Sequence, residues 1–466
     1  MITLRQNKGF ALTFSLIFLF LIISFMSVYM LAVASGVSTA NRTANLKKAY
    51  YIADAGLADA YERITQNGLN NVASSTCTNP NIPSTCTNPY IPSANTDTGI
   101  YRFDPVNNSA ITGSYRVSIV YSNSPRANYT ITSTGTYGNI SRTLQLKIIG
   151  AAISKYAYWT DMETSPYYGG NYWITGNLVN GLFQTNGTVN IIGNPIFNGA
   201  VSQVGPSVDY VDNTSNPSLI FPDGVNVNAP VVNLPAAQTL NAILGVANNS
   251  QGLVLTGAST IIFNPDSTIT VTGVVNNPSG GAKTYNNTTI KPPANGVIYV
   301  QNTPGQNDGS ATVQGTVNGQ LTVAAEQNIY IAGNVAYNSD PRTNPGSLDM
   351  VGLVANQNIY INSSAPSNLE LSGVLVALQS IMQASDMWVQ GKGNMDQFGS
   401  TISYYPPAMG YCDWSGNLLS GWNQLQSYDS RLKTLAPPGF PPYVNSQGYA
   451  VYNKTTITEC LNGVCG

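Results

Sequence analysis

The 466-residue sequence contains no histidine, and charged residues make up only 9% of it. Without histidine the chain lacks the most common acid–base group of enzymes near neutral pH and a usual zinc ligand. Its five cysteines form no Cys-x-x-Cys motif, and its net charge of −2 gives no reason to expect nucleic acid as a partner. We therefore expect no metal, no cofactor and no nucleic-acid partner.

Acidic residues are also too scattered for a glycan-cleaving site, which needs clustered carboxylates. Asp161 and Glu163 form a close acidic pair, which we interpret as solvated charges in a loop or linker. Between positions 200 and 300 the charged residues are Asp209, Asp212, Asp223, Asp266, Lys283 and Lys291. The sequence predicts no catalytic residues and a protein that is not an enzyme.

A long apolar run lies near the N-terminus. No charged residue occurs between Lys8 and Arg42, and the apolar core covers residues 10–37. As a helix these 28 residues would reach about 42 Å, whereas about 20 residues span the hydrocarbon of a membrane. A signal peptide cut after Ala34 and a plain membrane anchor are both open alternatives, but the signal peptide leaves the excess length unexplained. Basic residues flank the run on both sides, and we favour a short cytoplasmic N-terminus.

The apolar run continues into an amphipathic segment. An apolar stripe at spacings of three and four predicts that one helix covers residues 10–67 and ends at Asn67-Gly68. The stripe consists of Tyr50, Ala53, Leu57, Ala60 and Ile64. Three alternating segments, "GSYRVSIVYS", "NYTITSTGTYG" and "SRTLQLKIIG", predict antiparallel strands that pack on this helix. Residues 68–150 are therefore predicted to form a small α+β head.

The rest of the chain is rich in Asn, Thr, Ser, Gly and Val, and it contains internal repeats. Glycines recur every six residues from Gly181 to Gly205, and "AEQNIYI" at 325–331 recurs as "ANQNIYI" at 355–361. Stacked coils would place Ile329 over Ile359 and Ile331 over Ile361. Residues 151–400 are predicted to form a β-solenoid, with an ordinary β-sandwich as the alternative, and residues 401–466 a Pro- and aromatic-rich capping segment.

Cysteines and aromatic residues offer two further candidates. Two disulfides and one remaining thiol are expected from Cys77, Cys86, Cys412, Cys460 and Cys465. Cys77 and Cys86 occupy equivalent places in a tandem duplication, so they either pair or reflect a slipped repeat. Aromatic residues form a candidate glycan- or surface-binding patch, or else cap the solenoid ends. The patch is Trp159, Tyr167, Tyr168 and Trp173, with further aromatics at Trp388, Tyr404, Tyr405, Tyr411, Trp414 and Trp422.

"KGFALTFSLI", followed about forty residues later by "AYYIADAGLADA", resembles the N-terminus of PilX-type minor pilins of type IV pilus systems. The resemblance implies that prepilin peptidase removes residues 1–9 by cutting between Gly9 and Phe10, with methylation during processing. It also implies an inner-membrane single-pass precursor, which the pilus assembly platform then incorporates with other minor and major pilins into a surface pilus.

The resemblance has one departure in the membrane segment. Major pilins carry a glutamate at the fifth mature position, thought to pair with a neighbour's terminal amine, and Phe14 stands there in this chain. A carboxylate at that depth costs about 3 kcal/mol unless it has a partner. Its absence favours a position at or near a pilus or pseudopilus tip, where the protein would help to start assembly and contact surfaces. The alternative is a membrane-anchored extracellular glycan-binding or glycan-degrading β-helix protein.

The C-terminal region resembles a second domain that often follows PilX-like N-termini and has no assigned activity. The matching segments include "GLFQTNG", "GQLTVAAEQNIYIAGNVAY" and "YDSRLKTLAPPGFP". The first motif commonly has histidine where Gln184 stands here. Any function of that histidine would be lost in this chain.

Overall fold

The computed structural model describes residues 8–66, 98–103, 113–122, 128–150, 153–166, 169–211, 215–234, 238–248, 251–277, 281–440, 443, 451–461 and 464–465. A long helix precedes two β-sheet regions. The helices are α1 (Lys8–Gln66), α2 (Pro217–Ile220) and α3 (Gln238–Ala247), and 3₁₀ turns cover Ile153–Lys155 and Ser430–Lys433.

The strands are short and numerous, as the abundance of turn-forming residues predicts. They are β1 (Thr98–Phe103), β2 (Gly113–Ser122), β3 (Asn128–Tyr137), β4 (Ile140–Gly150), β5 (Tyr158–Thr160), β6 (Thr164–Ser165), β7 (Gly169–Gly170), β8 (Trp173–Ile174), β9 (Leu178–Asn180), β10 (Phe183–Thr185), β11 (Asn190–Ile192), β12 (Ile196–Asn198), β13 (Val201–Gln203), β14 (Asp209–Tyr210), β15 (Val225–Asn226), β16 (Leu253–Phe263), β17 (Ile269–Asn277), β18 (Gly281–Ile290), β19 (Val297–Gln301), β20 (Ala311–Val317), β21 (Gln320–Ala325), β22 (Ile329–Tyr337), β23 (Met350–Ala355), β24 (Ile359–Ile361), β25 (Leu369–Ala377), β26 (Met382–Ala384), β27 (Asn394–Ser403), β28 (Gly410–Cys412), β29 (Leu418–Gly421), β30 (Asn423–Ser427), β31 (Tyr452–Lys454), β32 (Thr458–Leu461) and β33 (Val464–Cys465).

The second half of α1 packs on the antiparallel sheet β1-β2-β3-β4, which we call the α+β head. Four members of the predicted apolar stripe are buried there: Ala53, Leu57, Ala60 and Ile64. They contact alternate side chains of the sheet, including Val117, Ile131 and Leu146. Tyr50 is the exception, since it is 36% exposed and Ala49 is buried instead.

Gly135 allows the helix to approach the sheet closely. A Cβ at Gly135 would collide with the backbone of Ala49 and Ala53, so no larger residue fits without moving α1. On the helix side, a Cβ at Gly56 would collide with Ser133. The glycines in "ADAGLADA" and "TSTGTYG" therefore fix the distance between helix and sheet.

The C-terminal strands complete the α+β head. β31 and β32 both pair antiparallel with β4, and Tyr452 lies opposite Gly150. β33 then pairs with β32. Residues 401–466 thus differ from the predicted capping segment, because their first part joins the large sheet through β30 and their last part joins the head. Apolar residues such as Tyr452 account for this, since they complete the core beneath α1.

The large 19-stranded sheet is built mainly from parallel strands stacked coil upon coil. One ladder runs β19-β21-β23-β25-β27, and another runs β20-β22-β24-β26. Ile329 pairs with Ile359 and Ile331 pairs with Ile361, which confirms the register predicted from the repeated heptapeptides. Such parallel stacking rather than a face-to-face sandwich explains why the same short string recurs.

The six residues between successive glycines form one side of a longer coil. Phe183 pairs with Val201, and Leu178 pairs with Ile196, so the repeat is 18 residues long. Each such coil has three short strands, as in β9, β10 and β11 followed by β12, β13 and β14. Gly199 stacks on Gly181, where a Cβ would collide with the carbonyl oxygen of Gly181.

The order of the coils differs from the order of the sequence. β27 pairs in parallel with β5, and β30 pairs with β9, so residues 158–226 continue the stack formed by residues 253–427. The chain enters the stack at β5, in its middle, and reaches one end at β15. It then passes through α3, on the outer face, and enters the stack again at β16, at the other end. The antiparallel hairpin β16-β17-β18 covers the far end.

The ladder that contains β23 and β25, which we call the main ladder, is buried on both faces. Leu353 and Leu375 belong to the interior cluster, whereas Val354 and Val376, their neighbours in sequence, belong to an outer cluster. Side chains alternate across a strand, so both faces need apolar cover. The outer cover consists of α3 (Leu240, Ile243, Ala247) and the segment from Leu432 to Phe440.

Candidate functional site

The N-terminal half of α1 is the main exposed apolar feature. Every large apolar side chain from Leu12 to Val37 is between 41% and 73% exposed. The helix is long and apolar enough to cross a membrane by length and composition, and none of its most apolar window is buried within the protein. At about 1.5 Å per residue, its 59 residues extend about 88 Å, well beyond the ~30 Å hydrocarbon layer.

Hydroxyl groups in this exposed half are bonded within the helix. Ser24 Oγ donates to the Phe20 carbonyl oxygen and Ser27 Oγ donates to that of Ile23, each at 2.8 Å. Thr39 and Thr43 make the same bond four residues back, at 2.9 Å. Polar groups cost free energy in apolar surroundings unless they are hydrogen-bonded. These serines and threonines can therefore enter lipid or a helical bundle without unpaired donors.

The predicted processing residues Gly9 and Phe10 lie in the first turns of α1, which begins at Lys8 rather than Phe10. Phe14 is 63% exposed on the apolar half. The helix ends at Gln66, so the predicted stop at Asn67-Gly68 lies outside the described residues.

The two described residues of the predicted aromatic patch do not lie at the surface. Trp159 and Trp173 are buried, and Tyr167 and Tyr168 lie outside the described residues. Trp173 packs in the interior, edge to face against Phe183 and Phe197. The prediction was wrong for both tryptophans because strands β5 and β8 turn them into two different apolar clusters. The prominently exposed tryptophans are instead Trp388 and Trp414, 66% and 84% exposed.

The cysteines divide into three groups. Cys77 and Cys86 lie outside the described residues. Cys460 forms a disulfide, and Cys465 lies directly opposite it in the β32–β33 hairpin. Cys412 has a free thiol, and partial burial raises its pKa. Since the thiolate is the reactive form, a raised pKa makes Cys412 a weak nucleophile at neutral pH.

Glu163 is buried, so the interpretation of the acidic pair as solvated charges was wrong for this residue, although it does lie in the loop between β5 and β6. Its Oε1 accepts a short hydrogen bond from Thr160 Oγ1, and Oε2 has no hydrogen-bond partner among the described residues. Desolvation raises the pKa of Glu163 to about 7, against a smaller lowering by the Thr160 hydrogen bond. Asp161 lies further out, where Asn186 Nδ2 donates to its Oδ1 at 2.7 Å. No pattern in "YWTDMETSP" signals this burial.

Gln184 is also buried. It is 3% exposed, and its Nε2 donates to the Thr185 carbonyl oxygen at 3.2 Å. Among the residues that the structure describes, no group of three or more acidic, cysteine or histidine side chains is placed to hold a metal ion.

Comparisons with known proteins give little more. No family model matches the sequence, and no curated protein matches it. Among solved structures, the chain is similar to the competence-associated pilin ComZ from Thermus thermophilus, with 11% sequence identity and a TM-score of 0.32. That alignment covers 89% of this chain and 97% of ComZ. A likeness this weak assigns neither a fold nor a function to this chain.

Proposed function

We propose that this protein is a pilin-like subunit that inserts α1 into the helical core of a type IV pilus or pseudopilus. The observation that carries the proposal is the division of one continuous helix, apolar and exposed before Val37 and buried against a sheet after Ala49. A removed signal peptide has no reason to share a helix with the folded head. A simple anchor does not need 28 apolar residues.

A position at or near the tip is the finer part of the proposal. Phe14 leaves the apolar half without a carboxylate for a neighbour's terminal amine. The main ladder runs through ten strands, β16-β19-β21-β23-β25-β27-β5-β10-β13-β15, which at ~4.8 Å per step is about 43 Å long. A β-solenoid head of this length has most room at the end of a fibre. There the protein would help to start assembly and contact surfaces.

The proposed partners follow from this life cycle. Prepilin peptidase would cut between Gly9 and Phe10, and the new N-terminus would be methylated. The protein would wait as a single-pass inner-membrane protein, then join other minor and major pilins through the assembly platform and reach the cell surface. We also propose that the head is not an enzyme. Burial of Glu163 and Gln184 supports this, since neither is open to a polymeric substrate.

The test is N-terminal sequencing of protein recovered from sheared pili. A start at Phe10 is expected, and Gly9→Ala should leave the leader attached. Gly36→Ala is the matched control, because Gly36 lies in the same helix with no heavy atom near its absent Cβ, so processing should be normal. A start near Ser35 would indicate a secreted protein, and a retained Met1 a plain anchor. Either result contradicts the proposal.

A further inference from the structure

A cavity of about 220 Å³ lies where the two segments of the stack meet. One wall comes from the first coil, including Tyr172 and Asn177. The other wall comes from the hairpin β28–β29 and its neighbours, including Tyr411, Trp414 and Trp422. We call this cavity, together with Trp388, the junction cleft. Ligand sites often form at such junctions between structural units.

Exposed aromatic rings mark the mouth of the junction cleft. Trp414 lines the cavity and is 84% exposed. Trp388 is 66% exposed, and its ring stacks on Tyr411 with a centroid distance of 3.9 Å. Flat aromatic faces held at a surface gain free energy when an apolar ring face covers them, and indoles bury large areas. Packing within the folded protein does not explain why Trp388 and Trp414 are exposed.

One residue of the lining also carries a buried donor for which the described part of the chain offers no acceptor. Trp422 lines the cavity and is 1% exposed, yet its Nε1–H has no hydrogen-bond partner among the described residues. An unpaired buried donor is costly, and a ligand or water oxygen relieves the cost. Amide side chains of Asn171, Asn177 and Gln424 add further polar groups to the lining.

The charges at the cleft favour a neutral ligand. Asp413 is the charged residue of the lining, and its carboxylate accepts three hydrogen bonds at 2.9 Å from Ser415 and Asn417. The nearby Lys392 is paired with Asp386 at 2.7 Å and lies over the Trp422 ring. With one carboxylate and no cation in the lining, an anionic ligand would be repelled.

The hairpin that carries these rings is held in place. Gly421 N donates to the Val389 carbonyl oxygen at 3.0 Å, which ties the end of β29 to the segment after Trp388. Gly421 has φ of +79°, and a Cβ there would collide with the backbone of Met409 and Gly410. Rings that are already ordered lose little entropy on binding.

We propose that the junction cleft binds a neutral glycan, with one sugar ring in the cavity and adjacent rings on Trp388 and Trp414. A volume of about 220 Å³ lies below the ~300–1,000 Å³ of sites for drug-sized ligands, which suits a single ring. The Trp422 Nε1–H donates to a ring hydroxyl, and the amides complete the polar contacts. This site is independent of how α1 is processed or assembled.

The test uses the purified full chain in a sugar-free zwitterionic detergent, applied to an array of neutral and acidic oligosaccharides. Neutral hexose or N-acetylhexosamine oligomers are expected to bind. Trp388→Ala and Trp414→Ala should each weaken the strongest binding roughly tenfold, as for aromatic residues that dominate an interface. Tyr330→Ala is the matched control, because Tyr330 stacks on Tyr360 at 5.2 Å elsewhere on the protein. It should leave affinity unchanged.

Trp422→Phe separates hydrogen bonding from packing. It keeps an aromatic ring and removes the donor, so affinity should fall several-fold at a temperature where the variant is still folded, while the lost packing volume lowers the unfolding midpoint. Four results would overturn the proposal: no binding at millimolar oligosaccharide, a preference for acidic glycans, wild-type affinity in both the Trp388→Ala and the Trp414→Ala variant, or binding of peptides in place of sugars. Purified Gly9→Ala protein should still bind, so failure here and failure of the pilus proposal are distinguishable.

Discussion

Glu163 is expected to make the unfolding free energy of the large domain fall as the pH rises from about 4.5 to about 7. Burial raises the pKa of this carboxyl from 4.5 to about 7, because the charged form loses its hydration and the hydrogen bonds of neighbouring side chains, Thr160 first among them, offset only part of that cost. The folded protein therefore binds the proton more tightly than the unfolded chain. Stability is fully present below pH 4.5 and is lost as the pH rises through 7.

The magnitude follows from the size of the shift. A rise from 4.5 to about 7 corresponds to about 3 kcal/mol, which the folded protein loses between acidic and mildly alkaline pH. Glu163→Gln resembles the protonated acid in shape and charge. At pH 4 the variant should match the wild type within about 1 kcal/mol. At pH 8.5 it should be more stable by about 3 kcal/mol.

The assay is urea unfolding of the full chain at pH 4, 5.5, 7 and 8.5, followed by the emission of tryptophan. Trp159 and Trp173 are buried near Glu163 and report on its surroundings. Thr160→Val is the companion variant. It removes a hydrogen bond that favours the charged form, so the folded pKa should rise further and the loss of stability should continue to higher pH than in the wild type. A constant difference between Glu163→Gln and wild type across the pH range would refute the reasoning.

Three further perturbations test other parts of the structure. Arg431→Ala should destabilise the protein by about 3 kcal/mol in urea unfolding, since Asp429 is 1% exposed and would lose its 2.6 Å ion pair; Lys433→Ala in the same turn is the control. Gly135→Ala should lower the unfolding free energy by about 1–3 kcal/mol, because the added Cβ forces α1 off the sheet. Gly245→Ala has open space around it and should raise the unfolding free energy by up to about 1 kcal/mol. Phe14→Glu should lower membrane insertion or piliation by burying a charge at a cost of about 3 kcal/mol; more copies along each fibre, counted by immunogold labelling, would contradict a tip position.

The sequence predicted the parts of the fold that local patterns control. The helix from Lys8 to Gln66 follows from an unbroken apolar run joined to a stripe, and the pairing of Ile329 with Ile359 follows from a repeated heptapeptide. The three antiparallel strands before Gly150 show their alternation directly. In each case the pattern and the contact lie within a few tens of residues.

Contacts between distant segments were not predictable in this way. β27 and β5 pair across more than 200 residues without any shared string, so nothing in the sequence indicates that the stack resumes at Tyr158. β32 reads "TECL", too short to show an apolar alternation, and its partner is fixed by the open edge of β4. The burial of Trp159 and Glu163 follows from those same long-range contacts, because β5 is covered only when β27 and β10 flank it.

The pairing of Tyr452 with Gly150 has a mechanical consequence. The chain leaves the α+β head after β4 and returns to it at β31, so two covalent connections join the head to the stack. A tensile load applied to the stack is shared by both connections. It reaches α1 through β4, which leads into the first connection and pairs with β31 of the second. Two adjacent attachment points allow the stack to bend relative to the head about one axis and resist its rotation about the axis of the connection. Cutting one connection by proteolysis, between residues 441 and 451 for instance, would leave the stack attached to its helix while removing that resistance to torsion.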